Sequence, residues 1–238
     1  MQEQKKDKVN LKGTISAESS IKGRLSIATY YSLQHIQSAT LFSRLSFNIE
    51  KNHVGNPSNE LKAEHKAYVT AAILTAVSFI EATINELFWE TLNSPKKVEV
   101  LEAKTKKYMA NMWKQGIQKT ATLEKYQFAL AIARKSLFDK GVTPYQDVLL
   151  LTKMRNALIH FESEWVADSP QELEKNLKGK FDLDPFSGEG SLFFPHRCLS
   201  HGCAKWAVTS SLKFTDDFFA KMGLKPKYDH LRSRLKTE

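Results

Sequence analysis

The sequence predicts an all-helical bundle, and three observations carry that expectation. Apolar residues recur at alternating spacings of three and four along several long stretches, Pro and Gly punctuate the gaps between them, and no stretch alternates with the period of two that a strand needs. No internal repeat of fixed period is present, so a solenoid is not expected. The expected form is an up-and-down bundle with an irregular, aromatic-rich loop before its C-terminal helix.

Taken in order, residues Met1 to about Gly23 are rich in Lys, Glu and Ser without an apolar stripe, and read as a flexible arm before one domain over 24–238. A first helix is expected from Ser26 to about Asn48, carrying Ile27, Tyr30, Tyr31, Ile36, Leu41, Phe42 and Leu45, and KNHVGNPSNE breaks it. The second lies within Glu60 to Asn93, where Ile73, Val77, Ile80, Ile84 and Leu87 form a seam and Pro95 marks the end. Beside that seam Ser78, Glu81 and Asn85 make a short polar ridge.

Helical patterns resume over Val98–Trp113 and over Ala121–Phe138. Thr143-Pro144 reads as an N-cap with Pro at the first helical position, opening a helix to about Phe161 with the stripe Val148, Leu151, Met154, Leu158 and Phe161. Asp168-Ser169-Pro170 starts a short helix through Leu177. The loop at about 178–198 then holds Phe181, Phe186, Phe193 and Phe194, which are costly to expose and so should pack on the helices or on a partner. A last helix runs from about Leu199 to Met222, with Trp206, Phe214 and Phe218 on one side and Gly223 as its stop, before a basic tail expected to fray.

Composition narrows the function classes. With 35 Lys and Arg against 26 Asp and Glu the formal charge is +9, which biases the surface toward polyanions such as RNA and is equally compatible with a merely soluble basic surface. Two cysteines cannot build a disulfide framework, and the N-terminus lacks the apolar run of a signal peptide, so a reducing cytoplasm is expected. The apolar run Ala71–Ile80, interrupted by Thr75 and Ser78, reads as too short and too polar to span a bilayer, and no membrane association is expected.

The chemistry-bearing residues cluster in the segment KMRNALIHF. Asn156 and His160 lie four apart, on adjoining turns of one helical face, while Arg155 stands about 100° from Asn156 and can reach around it. Such a trio suits attack of a ribose 2′-hydroxyl on the adjacent phosphate. Histidine moves protons near neutral pH, Arg155 can hold the phosphate by paired hydrogen bonds, and Asn156 can orient it. No phosphate-binding Gly loop, Ser-centred elbow or paired-carboxylate motif competes.

Arg followed by a polar residue, three more residues and His, on a late helix of a bundle, resembles the signature of the HEPN superfamily, and Arg155, Asn156 and His160 match it. FIEATINELF, with Glu81 and Asn85, is similar to the HEPN helix whose polar residues face that signature. The resemblance extends over roughly Ala63 to Phe161. It implies a homodimer in which two signatures meet at one cleft and cut RNA without metal or other cofactor, leaving a cyclic phosphate and a free 5′-hydroxyl. It also implies a toxin or antiviral defence setting with an antitoxin or defence-system partner, while some relatives are inactive binding or dimerisation modules. Members modified by an antitoxin often carry Tyr two positions after the His, where this chain has Glu162.

Three further readings stay open at this stage. Glu81 either satisfies a buried Arg155 or preorganises it for chemistry, with Ser78 and Asn85 beside it as supporting, orienting residues. His196, Cys198, His201 and Cys203 offer four zinc ligands, though packed too closely in sequence for the usual two separated pairs; Cys203 as a small core residue is the simpler reading. Tyr30-Tyr31, Phe88-Trp89 and Phe218-Phe219 read as core packing in preference to base-stacking platforms.

Overall fold

The architecture comes from a computed structural model that describes residues 29–53, 55–161, 171–188 and 190–238. The expected arm, the Asp168-Ser169-Pro170 helix start and Glu162 lie outside the described residues. Among the described residues seven α-helices follow one another: α1 Ser32–Asn52, α2 Asn59–Asn93, α3 Ala103–Lys114, α4 Thr122–Ile132, α5 Tyr145–Ile159, α6 Gln171–Leu177 and α7 His201–Met222. No strand occurs among the described residues, so the fold is all-α.

The chain is organised around α2, a helix of 35 residues, which at 1.5 Å per residue is about 52 Å long. Its predicted seam is fully internal, with Ile73, Val77, Ile80, Ile84 and Leu87 all at 3% exposure or less. Helix α1 lies along α2 in the most extensive interface of the molecule, and α7, α3 and α5 cover other sides. By length and composition alone α2 is apolar enough to cross a membrane, with an 18-residue window of mean hydropathy 1.7. The apolar tract is therefore longer than Ala71–Ile80. Half of that window is buried within the bundle, so packing against neighbouring helices accounts for much of its apolar character.

Two carboxylates fix the antiparallel pairing of α1 with α2. At one end Glu86 of α2 accepts from the backbone N–H (2.9 Å) and the hydroxyl (2.7 Å) of Ser32, placing a negative charge on the first turn of α1. At the other end Glu50 of α1 meets His65 of α2 at 2.8 Å. The buried face of α1 differs from the apolar stripe read from sequence. Ile36, Ala39, Thr40, Ser43, Ser46 and Ile49 are buried, whereas Leu41 is 45% and Tyr31 59% exposed. Small side chains let the two helices approach closely. The hydroxyls of Thr40 and Ser46 bond back to the carbonyls of Ile36 (2.8 Å) and Ser43 (2.7 Å), so their burial leaves few donors unpaired.

Other boundaries shift for local reasons. The pattern over Ala121–Phe138 is helical only as far as Ile132, because Arg134 takes a left-handed φ of 54° and turns the chain. Phe138 nevertheless returns to the core, 4.6 Å from Phe214 between ring centroids. The pattern from Val98 becomes a 3-10 turn over Pro95–Val98 followed by α3. Thr143 makes no cap, and Pro144 precedes the first residue of α5.

The aromatic loop is anchored, as its composition predicts. Phe193 and Phe194 are buried, Phe181 lies 5.5 Å from Trp206, and Asp184 sits inside the loop at 5% exposure. Asp184 accepts from Lys66 (2.8 Å), from the hydroxyl of Ser187 (2.5 Å) and from the backbone of Phe186 (3.1 Å), tying the loop to α2. Ser200 then caps α7 by accepting from the Cys203 N–H at 3.1 Å. Glu50 adds its carboxylate to the same helix end, 2.6 Å from the His201 N–H. The basic tail is docked, not frayed: Tyr228 is 1% exposed, and Arg232 makes a two-pronged pair with Asp216 at 2.7 and 3.0 Å.

Gly202 marks where this loop touches α7. A Cβ there would stand 2.9 Å from both the backbone N and O of Asp182. Gly202→Ala is expected to cost about 1–3 kcal/mol in urea denaturation through this forced displacement, whereas Gly188→Ala, whose Cβ would meet only the Ser191 hydroxyl at 4.0 Å, should stay within about 0.5 kcal/mol.

Candidate functional site

The signature residues fall on the last turns of α5, where the helix leaves the core. Val148, Leu151 and Met154 are fully buried, but Ile159 is 52% and Phe161 53% exposed, so the predicted apolar stripe becomes surface at its end. Arg155 is half-buried, while Asn156 and His160 are exposed. His160 closes the helix, its backbone N–H donating to the Asn156 carbonyl at 2.9 Å.

A shallow cleft of about 240 Å³ opens between α5 and α2, lined by Leu74, Val77, Ser78, Glu81, Arg155 and Ile159. Three residues singled out from sequence, Ser78, Glu81 and Arg155, thus share one concavity. Arg155 brings to it a buried Nε that has no hydrogen-bond partner among the described residues. A guanidinium nitrogen without a partner is costly to bury. Asn156 and His160 stand outside the lining of this cleft, because a helix separates Arg155 from His160 by about 140° of rotation.

Glu81 and Asn85 have a partner that sequence reading missed. Lys125 of α4 points its ammonium group inward, with a fully buried side chain, and donates to Asn85 Oδ1 at 2.8 Å. Glu81 Oε1 lies 3.5 Å from the same nitrogen, and the Gln118 carbonyl accepts at 3.4 Å. Burial draws the Lys125 pKa below its ordinary value, and the Glu81 carboxylate opposes that fall. No ion pair joins Glu81 to Arg155 among the described residues, so the expected Arg–Glu pairing is replaced by a Lys–Glu–Asn network. The sequence signal was present: Lys125 interrupts the stripe Leu123, Tyr126, Ala129 and Leu130, all of them buried. Ser78 spends its hydroxyl on the Leu74 carbonyl at 2.9 Å.

The four Cys and His residues near the start of α7 do not converge. His196 is exposed, Cys198 and Cys203 are buried, and His201 Nδ1 lies 3.0 Å from the Ser43 carbonyl. Cys203 packs against Met154, sulfur to sulfur at 3.7 Å, as a core residue. Burial pushes the Cys198 thiol up to about 12. Among the described residues the ligand atoms that do approach one another belong to Glu50, His65 and Asp184, all within 4.8 Å. The Asp184 carboxylate accepts from Lys66, Ser187 and Phe186 and the Glu50 carboxylate from the His201 N–H, so the cluster ties α1, α2 and the loop together, while His65 Nδ1 is buried without a hydrogen-bond partner among the described residues. The aromatic pairs read as core packing divide: Phe88, Phe218 and Phe219 are core, whereas Tyr31 is surface.

Comparison with known proteins finds no matching family model, no similar curated protein and no similar solved structure.

The Lys125 network makes opposite demands on its members. Asn85→Ala removes the shorter of its contacts and leaves the ammonium under-satisfied, costing about 1–3 kcal/mol of stability. Lys125→Met removes the buried charge itself and should cost less than Asn85→Ala, or stabilise. Urea midpoints of the two variants test this order.

Proposed function

We propose that this protein is a metal-independent endoribonuclease of HEPN type, acting as a homodimer on RNA in a toxin or antiviral defence setting. The observation that carries the reading is the cleft between α2 and α5, where Arg155 meets Ser78 and Glu81 with its Nε unpartnered. One turn further along α5, His160 is open to solvent. The +9 charge favours an RNA backbone.

The chemistry follows from these groups. His160 takes the proton of a ribose 2′-hydroxyl, whose oxygen bonds to the neighbouring phosphorus, and the bond from phosphorus to the 5′-oxygen breaks. The departing oxygen takes a proton, leaving a 2′,3′-cyclic phosphate and a 5′-hydroxyl. Arg155 offsets the charge that builds on the phosphoryl oxygens, and Asn156 orients one of them. Because Arg155 and His160 of one chain face different directions, a second copy completes the site. The exposed Ile159 and Phe161 flanking His160 supply an apolar surface for that association. Cytoplasmic location and control by an antitoxin or defence-system protein belong to the same proposal.

A second reading, an inactive HEPN-like binding or dimerisation module, is favoured by one observation. Glu81 and Asn85 hold Lys125 and not Arg155, which is a structural use of the polar ridge.

Incubation of the purified protein with total RNA in the presence of a metal chelator separates the two. Cleavage should persist with the chelator, end in cyclic phosphates, and fall by about a hundredfold or more in Arg155→Ala and His160→Ala. Equal fragmentation by all three proteins assigns it to a contaminant and leaves the binding module. Ile159→Asp should shift the protein from dimer to monomer in light scattering and reduce cleavage in parallel.

A further inference from the structure

Glu81 stands between two cations and is paired with only one of them. It lines the cleft of about 240 Å³ that Arg155 also lines, and its side chain is 41% exposed. Yet its Oε1 lies 3.5 Å from the Lys125 ammonium, and no ion pair joins it to Arg155 among the described residues. In open competition a carboxylate favours a guanidinium, which offers paired donors in a planar fork and is less strongly hydrated than an ammonium. The preference is reversed here.

The reversal follows from where Lys125 is held. Its neighbour Tyr126 is fully buried and donates to the Ile80 carbonyl of α2 at 2.7 Å, one residue before Glu81. Leu123, Ala129 and Leu130 seat α4 in the same core. The Lys125 side chain is thereby drawn inward to 0% exposure, where its ammonium meets Asn85 Oδ1 at 2.8 Å and the Gln118 carbonyl at 3.4 Å. Both of those acceptors are neutral. A buried ammonium without a counter-charge is costly, and Glu81 is the one carboxylate paired with it among the described residues.

Lys125 does not itself line the cleft, so it acts from behind Glu81. With a neutral side chain at position 125, the Glu81 carboxylate would be left facing Arg155, whose Nε has no hydrogen-bond partner among the described residues. A guanidinium closed by a carboxylate has its donors spent and its charge cancelled, and it loses its grip on any other anion.

We propose that Lys125 is a positioning residue, a buried cation that holds the Glu81 carboxylate off Arg155 and keeps the guanidinium open to a phosphate group of RNA. The pairing concerns this chain alone, whereas the phosphate rests on the ribonuclease reading above. A charge is thus kept at a position where an apolar side chain would cost little, because the ammonium serves the availability of Arg155 and not stability.

Nitrogen–proton NMR of the Arg155 Nε–H in the full chain without RNA, identified by its absence in Arg155→Lys, reads the pairing directly. Lys125→Met should move this resonance as Glu81 turns to the guanidinium, and adding Glu81→Gln should return it toward the wild-type position. Glu81→Gln alone should leave it nearly unmoved, since it has no Arg155 pair to break. Lys125→Gln carries the same expectation and is read instead if Lys125→Met does not fold. With RNA, kcat/KM of Lys125→Met should fall by about fivefold at an unchanged or raised melting temperature. Glu81→Gln in that background should restore it to within about twofold of wild type. A merely structural lysine would lose activity together with stability, and removing a second charge would not rescue it. The proposal is overturned by an unmoved resonance in Lys125→Met, by no reversal with Glu81→Gln, or by a loss of cleavage that Glu81→Gln does not restore. If the wild type cuts no RNA, the ribonuclease reading and the phosphate role fall together, while the resonance still decides whether Lys125 keeps Glu81 from Arg155.

Discussion

Helices α1, α3, α4, α5 and α7 all pack on α2, and its burial sets their positions. A helix whose apolar residues extend around most of its circumference cannot lie on a surface, and α1, α7, α3 and α5 each remove part of it from water. Residues along it from Val69 to Phe88 include Ala72, Ile73, Ala76, Phe79, Ile80 and Ile84, all at or below 1% exposure. Tyr126 of α4 is drawn into the same core, donating to the Ile80 carbonyl at 2.7 Å while its ring meets Phe214 and Phe218. Dispersion and the release of water set the arrangement, and hydrogen bonds such as this one fix its register.

That central burial constrains where charge can go. Each carboxylate near α2 is placed against a helix terminus or a cation: Glu86 on the first turn of α1 and near Lys227, Glu50 on the first turn of α7, Asp184 on Lys66. These contacts span long separations in sequence, so they choose among packings that the apolar residues alone would allow. Lys125 follows the same logic with the sign reversed, a buried ammonium held by Asn85 and Glu81. Three of the buried polar atoms left without a partner, Arg155 Nε, Glu90 Oε1 and Thr83 Oγ1, belong to residues that line a concavity, whereas Ser43 Oγ, His65 Nδ1 and His201 Nε2 lie within the packing of α1, α2 and α7.

One helix thus supplies walls to two sites of different character. The face with Ser78 and Glu81 opens on the smaller cleft beside Arg155, lined by polar and apolar residues in equal number. The face with Thr83 and Glu90 opens on a larger cavity, of about 330 Å³, whose wall is mostly apolar. Separation on opposite sides of a rigid, buried helix lets the two be altered independently.

The sequence by itself determined the helical class, the central seam of α2, and the start of α7 near Ser200 with its stop at Gly223. These are local matters, because periodicity and capping are set by neighbours within a turn or two. Tertiary structure decided the rest. It chose the small-residue face of α1 over its larger apolar residues, since close approach to α2 favours Ala39 and Ser43. It gave Glu81 and Asn85 to Lys125, brought Glu50, His65 and Asp184 together, and exposed His160 where α5 outruns the core. Partners more than a hundred residues apart leave no periodic trace, so only packing could reveal that Glu50 and His201, or Lys66 and Asp184, would meet.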